Sequence, residues 1–75
     1  MQLSSGEVGE TYRVISLRGN PAIKRRLMDM GIIPGTVVKI TGRAPLGDPI
    51  EISSRGFDLT LRLKEAESIE VEKVE

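Results

Sequence analysis

The sequence predicts a mainly β fold, a small closed barrel of about five short strands with one short α-helix inserted after the first strand. The chain has 75 residues and contains five short runs in which apolar and polar residues alternate, separated by turn residues. A single segment has convincing helical periodicity. A chain of this length has room for one small core, so we expect one domain spanning residues 1–75.

The helix is predicted to begin after Asn20 and to end near Met30. Asn20 is a favourable N-cap residue, and Pro21 follows at the first helical position, where its missing N–H does no harm. Ile23, Leu27 and Met30 recur at intervals of four and three residues, which stack on one side of a helix. One face of the helix is therefore expected to be apolar.

Two turn signals follow the helix. Gly31 suits the left-handed position after a helix, and Ile32 can fold back onto Leu27, the contact that accompanies a Schellman ending. Pro34 and Gly35 are the residue types that a type II turn favours at its two central positions. The second strand is expected to begin directly after this turn.

Alternation of apolar and polar residues predicts the strands. Tyr12 and Val14 fall on one side of the first strand, and Val38 and Ile40 fall on one side of the second, which Gly42 is expected to end. Strands that pair around a closed barrel leave few free edges, as in SH3-like architectures. The predicted strands cover residues 12–17, 36–41, 50–53, 57–62 and 69–71.

The hairpin between the third and fourth strands is the clearest in the chain. Arg55 and Gly56 form its short connection, and Phe57, Leu59 and Leu61 alternate with polar residues after it. We expect these three apolar side chains to lie on the same face of the fourth strand.

Three other segments are predicted to be irregular or helical. Residues 43–49 contain two prolines and a glycine and should form an ordered loop, in which Asp48 makes a local turn bond. Residues 63–68 are expected to form one helical turn. Leu3 and Val8, in the lead-in before the first strand, are expected to cover one end of the core.

The composition argues against an enzyme active site and against a tight metal site. Cysteine and histidine are absent, which removes disulfides, cysteine nucleophiles and the usual ligands of a tight zinc or ferrous site. Asp29, Asp48, Glu51 and Asp58 are spread over the helix, a turn and outward-facing strand positions, so we predict neither a catalytic dyad nor a metal site. No glycine-rich phosphate loop or nucleophile elbow is present. We expect a protein that is not an enzyme and has no cofactor.

Charge and hydropathy restrict the possible partners. The 11 basic and 11 acidic side chains cancel, so no long-range field attracts nucleic acid or an anionic membrane. Basic residues dominate residues 13–43, and acidic residues dominate residues 65–75. No segment approaches the roughly 20 apolar residues of a membrane span, and the N-terminus lacks the pattern of a signal peptide. A cytoplasmic protein without direct membrane insertion is expected.

The candidate partner-binding surface is centred on the helix and the following turn, with help from the loop at residues 44–49. Irregular segments on a rigid barrel often carry function, and methionine side chains adapt to irregular partners. Two alternatives stay open: Met30 can be a core residue, and the basic side chains can form a solvated helix face. The predicted surface comprises Lys24, Arg25, Met28, Met30, Ile32, Ile33, Pro34, Leu46 and Asp48.

The order of three fragments gives a family resemblance. The chain contains, in this order, LMDMGIIPGTVVKI, RAPLGDPIEI and RGFDLTLRLKEAESIEV. Together they resemble the FeoA family, small bacterial accessory proteins of ferrous iron transport, over almost the whole chain. The matching motifs are Arg25 to Leu27, Met30 to Gly35, and Ala44 to Pro49.

The resemblance implies an SH3-like barrel that acts in the cytosol with FeoB, the membrane permease that carries a GTP-binding domain, and it implies no catalytic residue. The family is also associated with transition-metal binding, for which this chain offers carboxylates alone, so weak Fe²⁺ binding is the most that is expected. Our leading hypothesis is an accessory protein, a monomer or weak homo-oligomer, that docks on the cytoplasmic GTPase portion of FeoB and supports or regulates transport.

Two alternatives come from other classes of protein. A nucleic-acid-binding barrel would use the basic helix, although the chain lacks the aromatic platforms and net positive charge typical of such proteins. A metal-responsive regulatory domain would resemble the C-terminal SH3-like domain of DtxR-type repressors.

Overall fold

The structure, a computed structural model, describes residues 1–74. Its five strands form one antiparallel sheet in the order β4-β3-β2-β1-β5. The predicted mainly β fold, with five strands and a helix after the first, is confirmed. The elements are a 3-10 turn at Leu3–Ser5, β1 (Thr11–Leu17), α1 (Pro21–Asp29), β2 (Val37–Arg43), β3 (Ile50–Ser54), β4 (Phe57–Leu61), α2 (Leu63–Glu67) and β5 (Ile69–Lys73).

Both ends of α1 are capped as the sequence predicts. The side-chain oxygen of Asn20 accepts a hydrogen bond from the Ile23 amide at 2.9 Å. At the other end, the Ile32 amide donates to the Leu27 carbonyl at 2.9 Å, and Gly31 has φ +86°. These features identify a Schellman ending, which satisfies the last carbonyls of the helix and turns Ile32 back toward the core.

The turn after α1 is fastened to the sheet. The Thr36 amide donates to the Ile33 carbonyl at 3.0 Å, and Gly35 has φ +93°, as expected of a type II turn with Pro34 at its first central position. The Gly35 amide also donates to the Val14 carbonyl at 2.8 Å. The chain therefore enters β2 already attached to β1.

One apolar core lies on the inner face of the curved sheet. Leu27 is the only fully buried residue of α1, and Ile23 and Met30 pack against the core while partly exposed. Leu3 covers one end of the core as predicted, but Val8 is 54% exposed. The expectation for Val8 is wrong because it lies at the tip of a turn closed by the Glu10 amide donating to the Glu7 carbonyl. The buried apolar residues are Leu3, Tyr12, Val14, Leu27, Ile32, Val38, Ile40, Ile50, Ile52, Leu61, Ala66, Ile69 and Val71.

The second strand continues past Gly42, contrary to the prediction that this glycine ends it. The ladder between β2 and β3 shifts register between Ile40 and Gly42 and then resumes up to Arg43. A glycine inside a strand often marks such a bulge, where the chain bends without breaking the pairing. The bend helps β2 and β3 to curve around the core.

The β3–β4 hairpin closes with a two-residue turn, as predicted. Ser54 pairs with Phe57, and the two residues between them have positive φ values, 52° for Arg55 and 82° for Gly56. This is the pattern of a type I′ turn, whose twist matches that of the flanking strands. Arg55 is the only residue other than glycine with positive φ among those the structure describes.

Replacing Arg55 with asparagine is expected to stabilise the chain by about 0.5–1 kcal/mol. Left-handed backbone costs an ordinary residue roughly 1–2 kcal/mol, whereas asparagine tolerates it and is favoured before glycine in this turn. Urea unfolding of the two proteins measures the difference, with Arg55→Lys as a control that should change little. An equal or lower free energy of unfolding for Arg55→Asn would contradict the strained-turn interpretation.

The two edges of the sheet differ. Along β5, the Val71 amide donates to the Met1 carbonyl at 2.7 Å, and Gln2 forms a bridge with Glu70. The other edge is β4, which pairs with β3 alone. In the described part of the chain no ladder joins β4 to β5, and α2 connects the ends of these strands. The predicted closure of the barrel by strand pairing is therefore wrong: the sheet stays open between β4 and β5.

The acidic side chains of β5 are partly neutralised by cations. The Met1 amine donates to Glu70 Oε2 at 2.7 Å, with the Arg18 guanidinium 3.8 Å from the same carboxylate. Glu72 lies 3.6 Å from Arg13. The hydrogen bond from the Met1 amine, together with the charges of that amine and of Arg18, holds the pKa of Glu70 below its ordinary value, against a smaller opposing effect of burial.

This lowered pKa predicts a specific loss of stability in acid. Because the folded state favours the carboxylate, Glu70 stabilises the chain above its unfolded pKa of about 4.3, and the contribution disappears as the pH falls through the lower folded value. The melting temperature of the parent chain should exceed that of Glu70→Gln at neutral pH, and the gap should close in acid. Glu67→Gln, at an exposed position, is the control. A gap that does not depend on pH would contradict the assignment.

Candidate functional site

An apolar groove of about 400 Å³ lies between the C-terminal end of α1 and the β3–β4 hairpin. We call it the α1–hairpin groove. The helix ending forms one wall and the start of β4 forms the other. The groove is lined by Met30, Gly31, Ile32, Ser54, Arg55, Phe57, Asp58 and Leu59.

The wall formed by β4 arises from alternation along the strand. Leu59 pairs with Ile52 and Leu61 pairs with Ile50, so the apolar side chains of β4 share the inner face of the sheet. Burial of these side chains falls toward the hairpin turn: Leu61 is fully buried, Leu59 is half-buried and Phe57 is 71% exposed. Phe57 thus lies on the predicted face, but beyond the region that the core covers.

The wall formed by the helix arises from the Schellman ending. Met30 is partly buried and stands beside the groove, whereas Gly31 adds no side chain, and a Cβ built there would meet nothing within 4 Å. Ile32 is 1% exposed. Its side chain therefore belongs to the core and forms the floor of the groove, which corrects its assignment to the partner-binding surface.

The charges that line the groove and its surroundings balance. Arg26 is neutralised by Glu65, with 2.5 Å between Nε and Oε2. Arg25 and Asp29 line a neighbouring depression on the outer side of α1, which meets the groove at Met30. The charged side chains that line the groove or this depression and form no ion pair within residues 1–74 are Arg25, Asp29, Arg55 and Asp58.

The predicted partner-binding residues do not all lie together. Lys24, Arg25 and Met28 are exposed on α1, and Ile33 and Pro34 are exposed on the turn after it. With Met30, these residues lie between positions 24 and 34, on α1 and the turn that follows it. Of them, Arg25 and Met30 line the depression on the outer side of α1, and Met30 also lines the groove.

Leu46 and Asp48 belong to a different region. Leu46 is 96% exposed in the loop before β3, and Asp48 Oδ1 accepts a hydrogen bond from the Leu63 amide at 3.1 Å. Asp48 thus contacts the start of α2 and does not make the predicted local turn bond. This loop adjoins the Ile50–Leu61 end of the hairpin, which at about 3.3 Å per residue lies roughly 13 Å from the Ser54–Phe57 end beside the groove.

Sequence reasoning missed the hairpin half of the groove, namely Arg55, Phe57, Asp58 and Leu59. A signal was available. Phe57 is the only phenylalanine and directly follows a two-residue turn, where a strand is least covered by the core. An apolar residue at such a position is a candidate for exposure.

The acidic side chains of the described chain are scattered. Over residues 1–74, no three acidic side chains lie close enough together to hold a metal ion. Glu65 is the one buried carboxylate of the described chain; its Oε1 accepts from the Arg62 amide at 2.9 Å and its Oε2 pairs with Arg26. Glu65 therefore joins α1 to the start of α2.

The helices of the described chain are also too short or too polar to cross a membrane.

Comparison with known proteins gives the family. The family model of the FeoA domain matches residues 1–73 of this chain. The solution structure of the FeoA protein from Chlorobium tepidum is 44% identical, with a TM-score of 0.91 over 100% of this chain and 71% of that one. The FeoA of Stenotrophomonas maltophilia, crystallised with zinc and described as a prokaryotic SH3 domain protein, is 29% identical, with a TM-score of 0.83 over 96% of this chain and 89% of that one.

A fusion of Fe(2+) transport protein A with the Fe(2+) transporter FeoB from Porphyromonas gingivalis is 28% identical over 74 residues, which are 99% of this chain and 9% of the fusion. The chain thus spans only a small part of this curated relative. The fold of the present chain is SH3-like, and the chain belongs to the FeoA family, which is associated with iron transport.

Proposed function

We propose that this chain is a non-enzymatic, cytoplasmic accessory protein of bacterial ferrous iron uptake that docks on the cytoplasmic GTPase portion of a FeoB-type permease. The observation that carries the proposal is the fusion in Porphyromonas gingivalis, where a related domain is joined to the transporter in one polypeptide. Covalent joining keeps two modules at a high effective concentration, which is useful where they act together.

The geometry of the groove supports the binding of a partner protein and not catalysis. The α1–hairpin groove has an exposed aromatic side chain, Phe57, and an adaptable one, Met30, on either side of a buried floor. Aromatic anchors and methionines are enriched at the centres of protein interfaces. The walls are fixed by the Schellman ending and the type I′ turn, so little ordering is needed when a partner binds.

The test is binding of the purified chain to a detergent-solubilised, full-length FeoB-type permease from the same organism. Phe57→Asp is expected to weaken binding at least tenfold, about 1.4 kcal/mol, because it places a charge in an apolar contact. Val8→Asp, at a similarly exposed apolar residue in a different turn, is the matched control and should bind normally. If the parent chain does not bind the permease, the proposal is wrong.

A second pair of variants locates the contact. Met28→Asp and Ile33→Asp change the exposed part of the helix ending without altering the hairpin. If these variants lose binding and Phe57→Asp does not, the contact lies on the outer side of α1 and not in the groove. Iron uptake by a deletion strain, with the permease present throughout, then tests whether docking supports transport.

A further inference from the structure

We propose that two copies of this chain pair through the free edge of β4, as antiparallel strands related by a two-fold axis at Thr60. The inference does not depend on docking to a permease. It rests on the bare edge of β4, on the outward direction of the Thr60 backbone, and on a sequence around Thr60 that is complementary to itself when the strand is reversed.

The edge of β4 is free, whereas the opposite edge of the sheet is covered. On β5 the N-terminal residues Met1 and Gln2 take up backbone positions beside Glu70 and Val71. Within residues 1–74, β4 forms a ladder with β3 alone, and Thr60 is exposed. A bare strand edge presents unpaired amides and carbonyls, which act as a template for another strand.

The hairpin geometry identifies the backbone groups that are free. A two-residue type I′ turn closes on a hydrogen-bonded pair, here Ser54 and Phe57, and such pairs alternate with non-bonded pairs along an antiparallel ladder. Asp58 and Thr60 therefore direct their amides and carbonyls away from β3. When two copies meet with Thr60 opposite Thr60, each threonine amide donates to the carbonyl of the other, which forms two backbone hydrogen bonds.

The charges on the outer face match in this register. Asp58 lies two residues before Thr60 and Arg62 lies two residues after it. The backbone of Arg62 is still extended, with φ −69° and ψ 152°, so the three residues share one face of the strand. Reversing the strand about Thr60 places Asp58 of each copy opposite Arg62 of the other, and opposite charges at such positions stabilise a sheet. Neither side chain forms an ion pair within residues 1–74.

The inner face of the same segment is also symmetrical. The segment from Phe57 to Leu63 reads FDLTLRL, so apolar residues stand one and three positions away from Thr60 on both sides. In the paired strands, Leu59 lies opposite Leu61 of the other copy, and Phe57 lies at the end of the pairing. Phe57 is 71% exposed in the single chain, so its removal from water is the main apolar gain.

This symmetry favours a second copy over a segment of another protein. Beside β4, Arg55 and Arg62 are offset by Glu51 and Asp58, so net charge attracts neither an acidic nor a basic segment. An unrelated strand would need a base and an acid at matching intervals, with apolar residues between them, whereas another copy always carries them. Contacts in which residue i meets residue j and j meets i are typical of two-fold dimers.

Charge reversal tests the pairing in the isolated chain. Sedimentation equilibrium should show a weak dimer, because a pairing of one short strand is smaller than a stable protein interface. Asp58→Arg and Arg62→Asp each place like charges opposite one another, so each should weaken self-association at least tenfold. The double variant, which has the net charge of the parent chain, restores an acid opposite a base and should associate like the parent. Failure of the double variant to recover would overturn the charge pairing.

Thr60→Pro tests the backbone bonds. Proline here removes an outward amide but no hydrogen bond to β3, and edge strands tolerate such a proline. Thr60→Pro should therefore be monomeric, while Thr60→Val, which keeps the amide, should associate like the parent. Hydrogen exchange gives a readout without mutation, since protection of the Thr60 amide in the parent chain should rise with protein concentration.

Single cysteines test the register, since the chain has no cysteine of its own. Copies carrying Thr60→Cys should form an intermolecular disulfide, because residues directly opposite each other lie about 5.5 Å apart between Cα atoms, within the range of a disulfide. Copies carrying Thr41→Cys, at an exposed position of β2, report random collision and should not. A register slipped by two residues, with Asp58 opposite Thr60 of the other copy, would instead cross-link Leu59→Cys and would overturn the proposed register.

The remaining outcomes separate the occupants of the edge. A chain that stays monomeric at the concentrations used for solution NMR, with unchanged exchange of the Thr60 amide, overturns the inference and leaves the permease proposal intact. Protection of that amide only after addition of the solubilised permease would mean that the permease covers β4, and self-pairing would be wrong.

Discussion

Replacing Leu27 with alanine is expected to lower the free energy of unfolding by about 3 kcal/mol, within the roughly 2–5 kcal/mol found for truncation of buried leucines. Leu27 is the only fully buried residue of α1, and its side chain packs among residues from the sheet. Alanine removes the apolar contacts and leaves a cavity that the surrounding ladders cannot close. A loss of this size is a large part of the stability of a domain this small.

Urea unfolding with linear extrapolation measures this loss. Met28→Ala is the matched control, since Met28 is the next residue of the same helix and is 50% exposed. Its free energy of unfolding should change by less than about 0.5 kcal/mol. A similar, small effect of both substitutions would mean that α1 contributes little to the core.

Gly6→Ala is expected to cost about 2 kcal/mol, although alanine is the smallest possible change. A Cβ at this position would lie 2.6 Å from Ile40 Cδ1 and 2.8 Å from a ring carbon of Tyr12. Both side chains are buried, and the Tyr12 hydroxyl accepts a hydrogen bond from the Glu7 amide at 3.0 Å. Overpacking of a filled core typically costs about 1–3 kcal/mol because neither neighbour can move freely.

The control for this substitution is Gly42→Ala. Gly42 also lacks a positive φ, but the nearest atom to its Cβ would be a Glu51 carboxylate oxygen at 3.4 Å, on an exposed side chain that can turn away. Thermal or urea unfolding should show a clear loss for Gly6→Ala and little change for Gly42→Ala. Equal effects would indicate that backbone entropy, and not close packing, decides both.

Local signals in the sequence were sufficient for most of the secondary structure. Asn20, Gly31 and the Pro34-Gly35 pair each act within a few residues, through capping and turn conformation, and each has its expected role. Alternation likewise predicted the inner faces of the strands, because side chains of a strand must alternate whatever they pack against.

The errors came from contacts between residues distant in sequence. Asp48 bonds the Leu63 amide, fifteen residues away, and no local pattern announces that partner. Gly42 lies in a bulge whose existence depends on the pairing with β3. Val8 was expected in the core because it is apolar, but the turn from Glu7 to Glu10 directs it to solvent.

The candidate site was half predictable for the same reason. The helix ending, with Met30 and its neighbours, is encoded locally and was identified as a candidate surface. The opposite wall depends on which strand end lies beside that helix, a property of the sheet order. Phe57 is therefore recognisable as a binding-site residue only from the structure, in which the hairpin lies next to α1.

The attachment of α1 has a consequence for motion. Leu27 and the partly buried Ile23 and Met30 pack α1 against the core, and the Arg26–Glu65 ion pair joins it to α2. Most of its other side chains face water. Segments with so little buried surface open at lower free energy than the strands around them. The amides of α1 are therefore expected to exchange with solvent faster than those of the β-ladders. The Schellman ending and buried Ile32 hold Met30 beside the groove, so this opening begins in the part of α1 that precedes Met30.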